Sequence, residues 1–206
     1  MVILLDIRMR LHWLLSTDRA IDAEAAPPAL NWDIFYYVYG VLHHPGYRSK
    51  FADNLKKSLP RIPFAPDFRA FAAAGKALAA LHLDYEKLEP HDLKFLETPG
   101  APLSYRVEKM KLAKDTASLR VNDSLTLAGI PPEVYGYRLG NRSALHWIID
   151  QYQVSTDQRS GIVSDPNRED DPEYIVRLIG QVVKVSLETV RIVKALPAEY
   201  TAPTAA

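Results

Sequence analysis

The sequence contains no cysteine. That excludes a disulfide framework, a thiolate zinc site and a cysteine nucleophile together, and it is compatible with a reducing cytoplasm, the expected location. An excess of either charge is missing too: Lys+Arg and Asp+Glu are both 25, for a formal net charge of zero. A free-standing, non-specific nucleic-acid binder usually carries a clear positive excess. No run is long and apolar enough to span a membrane. The opening MVILLDIRMRLHWLL is interrupted by Asp6, Arg8, Arg10 and His12, with no small-residue cleavage site behind it, which argues against a secretory leader. Several catalytic signatures are also missing. There is no GxxxxGK[ST] phosphate loop, no GxGxxG, no GxSxG elbow, no HExxH, and no Asn- or Asp-Pro-Pro-Tyr of the kind that grips a flipped base. No internal repeat is visible.

What is present is a foldable chain of 206 residues, 48% hydrophobic, enough for a real core. Residues 1 to about 26 read as a helical arm, separated from the rest by Pro27 and Pro28. From Asn31, a candidate cap, Ile34, Phe35, Val38, Val41 and Leu42 recur at helical spacing up to His44-Pro45. A second helix is expected from about 46 to 58, with Phe51 and Leu55 inward. Three prolines in PRIPFAP then impose an extended stretch, after which Asp67 is placed to cap a helix through about Leu83. Residues 84 to 102 read as irregular. The period then becomes alternating: Leu103, Tyr105 and Val107, then Leu119, Val121, Leu125 and Leu127 about an Asn122-Asp123 turn. A short helix is expected over 141–152, capped by Asn141 or Ser143. Asp171 is expected to cap a final helix, with Pro172 at its first position, Glu173 favouring its dipole, and Ile175, Ile179, Val182, Val190 and Val193 as its stripe. From Pro197 the chain reads as a disordered tail. The class expected is α+β: a helical N-terminal half, a small antiparallel sheet in the middle and closing C-terminal helices.

Candidate chemistry concentrates between 137 and 168. One loop there gathers Gln151, Gln153, Arg159, Asn167 and Arg168, with Arg138, Asn141, Arg142 and Ser143 at its entrance. Arginine, glutamine and asparagine are the side chains that read base edges and phosphates. The alternative is an ordinary solvated loop, and Ser164–Asn167 is a turn sequence that needs no ligand. A second candidate is the basic stretch Arg106, Lys109, Lys111, Lys114 and Arg120, with Tyr105 among them, suited to a phosphate backbone or merely the wet side of a strand. A third, Arg48, Lys50, Lys56 and Lys57, reads as a solvated helix face. Asp92 and Lys94 resemble half of a nuclease metal site without a second carboxylate. His43-His44 are adjacent, so they do not face one ligand.

Three blocks, at 33–64, 137–167 and 171–197, resemble the C-terminal specificity region of type ISP restriction–modification enzymes. Those are large bacterial chains with nuclease, motor, adenine-methyltransferase and target-recognition parts. The resemblance implies an atypical arm over 1–30, a target-recognition domain over 31–197 and a tail over 198–206. It also implies a domain that is not catalytic by itself, needs no cofactor or metal, and positions a DNA site for a methyltransferase domain absent from this chain. Its partners would be double-stranded DNA and the methyltransferase and motor/nuclease domains of the same enzyme, with no membrane. On side-chain chemistry the contacts expected with DNA are Arg138, Asn141, Arg142, Gln151, Gln153, Arg159, Asn167, Arg168, Lys109 and Lys111. The rival expectations are a docking module that touches no DNA, and a metal-dependent nuclease.

Overall fold

The structure, a computed structural model, describes residues 29–201. The expected N-terminal arm, its Pro27-Pro28 break and the last five residues lie outside them. The architecture is the α+β one expected. The stretch read as one domain divides at Leu83: one compact unit ends there and takes up the chain again from Arg191, and the other runs from Asp84 to Val190.

The first unit is helical. Helix α1 (Ala29–His43) is already formed at Ala29, so Asn31 lies within its first turn rather than capping it. The apolar stripe is also rotated from the expected one: Tyr37, Tyr39 and Val41 are buried, while Ile34 is 49% exposed. The reason is that two of the buried positions are tyrosines, whose rings bury like apolar groups while their hydroxyls find partners. Tyr37 donates to the Pro63 carbonyl (2.6 Å) and accepts from the Ala65 N–H (2.6 Å), which pins the extended proline-rich stretch. Pro45 sits at the start of α2 (Pro45–Lys50), and His44 caps it through its ring. His44 Nδ1 accepts the Tyr47 N–H (3.3 Å) and Nε2 donates to the Pro197 carbonyl (3.0 Å). The expected single helix over 46–58 is broken at Phe51, whose ψ of 20° leaves the helical range, and resumes as α3 (Ala52–Leu55).

Asp67 caps α4 (Phe68–Leu83) as expected, accepting the Ala70 N–H at 2.9 Å. Helices α1 and α4 pack backbone to backbone. A Cβ on Gly75 would meet the Tyr36 carbonyl oxygen at 1.8 Å, and one on Gly40 would meet that of Phe71 at 2.4 Å. Only glycine at both positions allows that approach. The expected tail differs at Tyr200, whose ring packs 4.8 Å from that of His44 and joins the cluster of Tyr37, Val41, Tyr47 and Phe71.

The second unit is built on a four-stranded antiparallel sheet in the order β1-β4-β3-β2: β1 (Lys94–Glu97), β4 (Leu125–Ala128), β3 (Ser118–Arg120) and β2 (Lys111–Leu112). Strand β1 falls in the stretch expected to be irregular; its side chains are all exposed, so it carries no alternating signature. Conversely, Leu103, Tyr105 and Val107 alternate without joining any ladder, because Asn122 takes up the backbone there instead. Its Nδ2 donates to the carbonyls of Ser104 (2.7 Å) and Arg106 (2.8 Å). Its Oδ1 accepts from the Ser124 and Leu125 N–H groups, closing the expected turn between β3 and β4. Leu119, Val121, Leu125 and Leu127 are fully buried, as their spacing predicts.

Ser143, not Asn141, caps α5 (Ala144–Gln151), accepting the His146 N–H at 3.3 Å. The final helix, α6 (Tyr174–Lys194), starts three residues after Asp171. The Asp171 carbonyl accepts the Tyr174 N–H (3.1 Å), and its carboxylate pairs with Arg177, which competes with the expected capping. Buried Gln181 donates to the carbonyls of Glu86 (2.7 Å) and Leu88 (3.0 Å), satisfying the polar group that the helix takes into the core.

Candidate nucleic-acid interface

The polar loop proves to be ordered from within. After α5, residues Ser155–Thr156 (β7) and Val163–Ser164 (β8) pair as a hairpin, Ser155 opposite Ser164 and Thr156 opposite Val163. Asp157 organises its turn. One carboxylate oxygen accepts the N–H groups of Arg159 (2.9 Å) and Ser160 (2.7 Å) and the Ser160 hydroxyl (2.9 Å). These bonds, those from Ser160 first, hold its pKa below the ordinary carboxylate value. Gly161, at φ +70°, supplies the left-handed residue that brings the chain back.

Both ends of the loop are fastened to the basic stretch. At the near end the Val154 N–H donates to the Glu108 carbonyl (2.9 Å). At the far end Asn167 forms a paired bond to Val107: Oδ1 accepts its N–H (2.8 Å) and Nδ2 donates to its carbonyl (2.7 Å). Asp165 adds an ion pair to Arg106 (2.6 Å). The Asn167 N–H, the Asn167 amide and then the Arg106 guanidinium hold the Asp165 carboxyl down at about 2. The loop and the basic stretch, two separate candidates in the sequence, are therefore one structure.

Along this seam lie two open grooves that share Ser104 and Arg106. The first, about 530 Å³, is lined by Arg106, Lys109, Lys111 and Arg120 together with Asn122 and Ser124. Its acids are Glu108 and Asp123; Asp123 lies 3.5 Å from Arg120. Among the described residues Lys109 and Lys111 enter no ion pair. The second, about 560 Å³, is lined by Tyr105, Arg106, Asp165, Asn167, Arg168 and Glu169. There the Arg168 guanidinium carbon lies 3.4 Å from the Tyr174 ring centre, a cation–π contact.

The ten expected contact residues are thus divided. Lys109 and Lys111 share one groove, and Asn167 and Arg168 line the other, although both ends of the Asn167 amide are already engaged with Val107. Arg159 is exposed at the hairpin tip, and Gln151 is exposed at the end of α5. Gln153 donates to the Asp150 carbonyl (3.1 Å). Arg138, Asn141 and Arg142 line a separate recess of about 330 Å³ with Tyr135, His146 and Asp150. Arg138 donates to the Asn141 carbonyl within its own hairpin, β5 (Arg138–Leu139) and β6 (Arg142–Ser143). Arg142 pairs with Asp150 and lies over the Trp147 ring. These arginines have local structural partners that the sequence did not reveal. Sequence reasoning also passed over Ile162 and Val163, 68% and 59% exposed on the hairpin. The signal was two β-branched residues directly after a turn glycine. Asp92 and Lys94 are exposed, and among the described residues no three histidine or acidic side chains gather where they could hold a metal ion.

An open, cation-lined groove beside a clamped hairpin defines a class of surface that suits an extended polar partner. The family model for the Type ISP C-terminal specificity domain matches residues 15–178, and the chain belongs to that family. The match begins inside the stretch that the sequence reading set apart as an arm.

Solved structures agree. The chain is 41% identical to the Type ISP restriction–modification enzyme LlaGI, a nuclease-deletion mutant in complex with a DNA substrate mimic (TM-score 0.75, 84% of this chain and 17% of that one). It is 38% identical to the ATP-dependent Type ISP enzyme LlaBIII bound to DNA (TM-score 0.75, 82% and 11%). It is 38% identical to DrdV in a DNA complex (TM-score 0.72, 82% and 18%). The chain thus spans less than a fifth of the length of each. No curated protein matches it. Among the described residues no helix is long and apolar enough to cross a membrane.

Proposed function

We propose that this chain is the part of a restriction–modification enzyme that recognises a duplex DNA sequence and presents it to a methyltransferase domain carried elsewhere, without breaking bonds itself. The observation that carries the proposal is the seam. The groove holding Arg106, Lys109, Lys111 and Arg120 is fastened to the polar loop at Val154, Asp165 and Asn167. Cations in such a groove meet phosphates, and the loop beside it is positioned to meet base edges. Lys109 and Lys111 act as phosphate contacts; Arg168, Arg159 and Gln151 are the base-reading candidates.

The family and its DNA-bound members support this reading. The net charge of zero fits a division of labour, in which other domains share the non-specific grip. The test is a competition binding assay across duplex sequences at fixed salt, with the methyltransferase domain supplied. One sequence should be preferred, and Arg168→Ala should cost about 1–3 kcal/mol and relax discrimination at one position. Equal affinity for all duplexes would sink the proposal.

A further inference from the structure

Two side chains in the second unit have no role in its core. Ile162 and Val163 are 68% and 59% exposed, on a two-stranded ribbon whose residues from Ser155 to Ser164 are all exposed. Exposing two neighbouring β-branched side chains forgoes the stabilisation that burying them would give. The ribbon is nevertheless held at both its tip and its base. Its turn is filled by the Asp157 carboxylate, and its base is tied to the basic stretch at Val154 and Asn167.

The major groove of B-DNA, about 12 Å wide and about 8.5 Å deep, admits a two-stranded ribbon. Three residues on each side of the turn, Ser155–Asp157 and Ile162–Ser164, rise about 10 Å, enough to bring the tip to the base edges. Charge points the same way. The cations of the adjoining groove stand at the ribbon's base, where the phosphates of a duplex holding the tip would lie, and Arg159 stands at the tip. The ribbon's own acid, Asp157, keeps its negative charge, with one carboxylate oxygen engaged in three bonds within the turn.

Resting on the function proposed above, we infer that the β7–β8 ribbon enters the major groove and that Ile162 and Val163 read the C5-methyl group of thymine. That methyl is the one apolar feature among otherwise polar major-groove base edges. Neighbouring strand positions face opposite sides. Val163 and its cross-strand partner Thr156 therefore present methyl groups on one face, and Ile162 presents its side chain on the other, next to the tip.

The experiment selects duplexes from a random-sequence library with the full chain and the methyltransferase domain, then replaces each thymidine of the selected site by deoxyuridine. At one or two positions affinity should fall about fourfold, the equilibrium factor for one buried methyl group. Ile162→Ser or Val163→Ser should abolish that thymine/uracil difference while the rest of the preferred sequence persists, with thermal melting confirming an intact fold. A selected site at which uracil binds as well as thymine everywhere overturns the inference and leaves the functional proposal standing. So does a thymine preference that survives when Ile162→Ser and Val163→Ser are combined, or a combined variant that loses only its association with the methyltransferase domain. Failure to select any sequence overturns the functional proposal itself.

Discussion

The two units place their polar side chains to opposite ends. In the first, a small cluster of them is buried. The Tyr39 hydroxyl is bonded to Nδ1 of His82 (2.8 Å), and His43 donates from Nδ1 to the Tyr39 carbonyl (2.8 Å). Burial pushes His82 down to about 3 and Tyr39 up to about 12. In the second, asparagines and aspartates at the surface hold backbone that no ladder holds: Asn122 around 104–106, Asn167 around 107, Asp157 within its turn. A polar side chain in this protein is thus a structural member first. Functional candidates are those left over once that structural use is subtracted, which is why Lys109 and Lys111 gain and Arg138 and Arg142 lose.

The strongest challenge to this contrast is Gly75→Ala. If the first unit depends on backbone contact between α1 and α4, the added methyl, aimed at the Tyr36 carbonyl, should destabilise by about 3 kcal/mol in urea titration. A loss below half of that would mean the helices can part cheaply. In the second unit the matching test is Asn167→Ala, which strands the N–H and carbonyl of buried Val107. A cost of about 2 kcal/mol is expected, with faster amide exchange at Val107. A stable variant with altered sequence preference alone would instead make Asn167 a base reader.

Acid should separate the units. His82 keeps its neutral form when folded, so below about pH 6.5 the unfolded chain binds a proton that the folded one refuses. Stability then falls by up to about 1.4 kcal/mol per pH unit until about pH 3. Asp165 has the opposite sign of charge and a depressed value, so its contribution is complete above about pH 4 and fades only toward 2. Residue-resolved amide exchange between pH 7 and 5 should therefore loosen around His82 and leave Val107 protected. The smallest effect on folding belongs to Lys109→Ala with Lys111→Ala. Stability should move by less than about 0.5 kcal/mol, while DNA affinity drops across all sequences and the salt slope shrinks by about 1 per lysine.

Much of the fold was legible because it follows periodicity. The helix from Asp67, the β3–β4 turn at Asn122 and the buried Leu119–Leu127 set each rest on local spacing. Strand β1 was not, because an exposed edge strand has no buried alternation to display. The site was legible in composition but not in assignment: arginines and amides in one segment mark a polar surface without saying which are already bonded.

By itself the sequence determined the α+β class, the absence of thiol chemistry and the segment in which the candidate polar side chains gather, since these depend on residue type and near-neighbour spacing. Only the tertiary structure decided that the loop is a hairpin anchored to the basic stretch, and that Asn167, Arg138 and Arg142 have structural partners. Hydrogen bonds such as the pair joining Asn167 to Val107 link residues sixty positions apart. Nothing in the neighbourhood of either residue encodes a contact that exists only once the chain has closed.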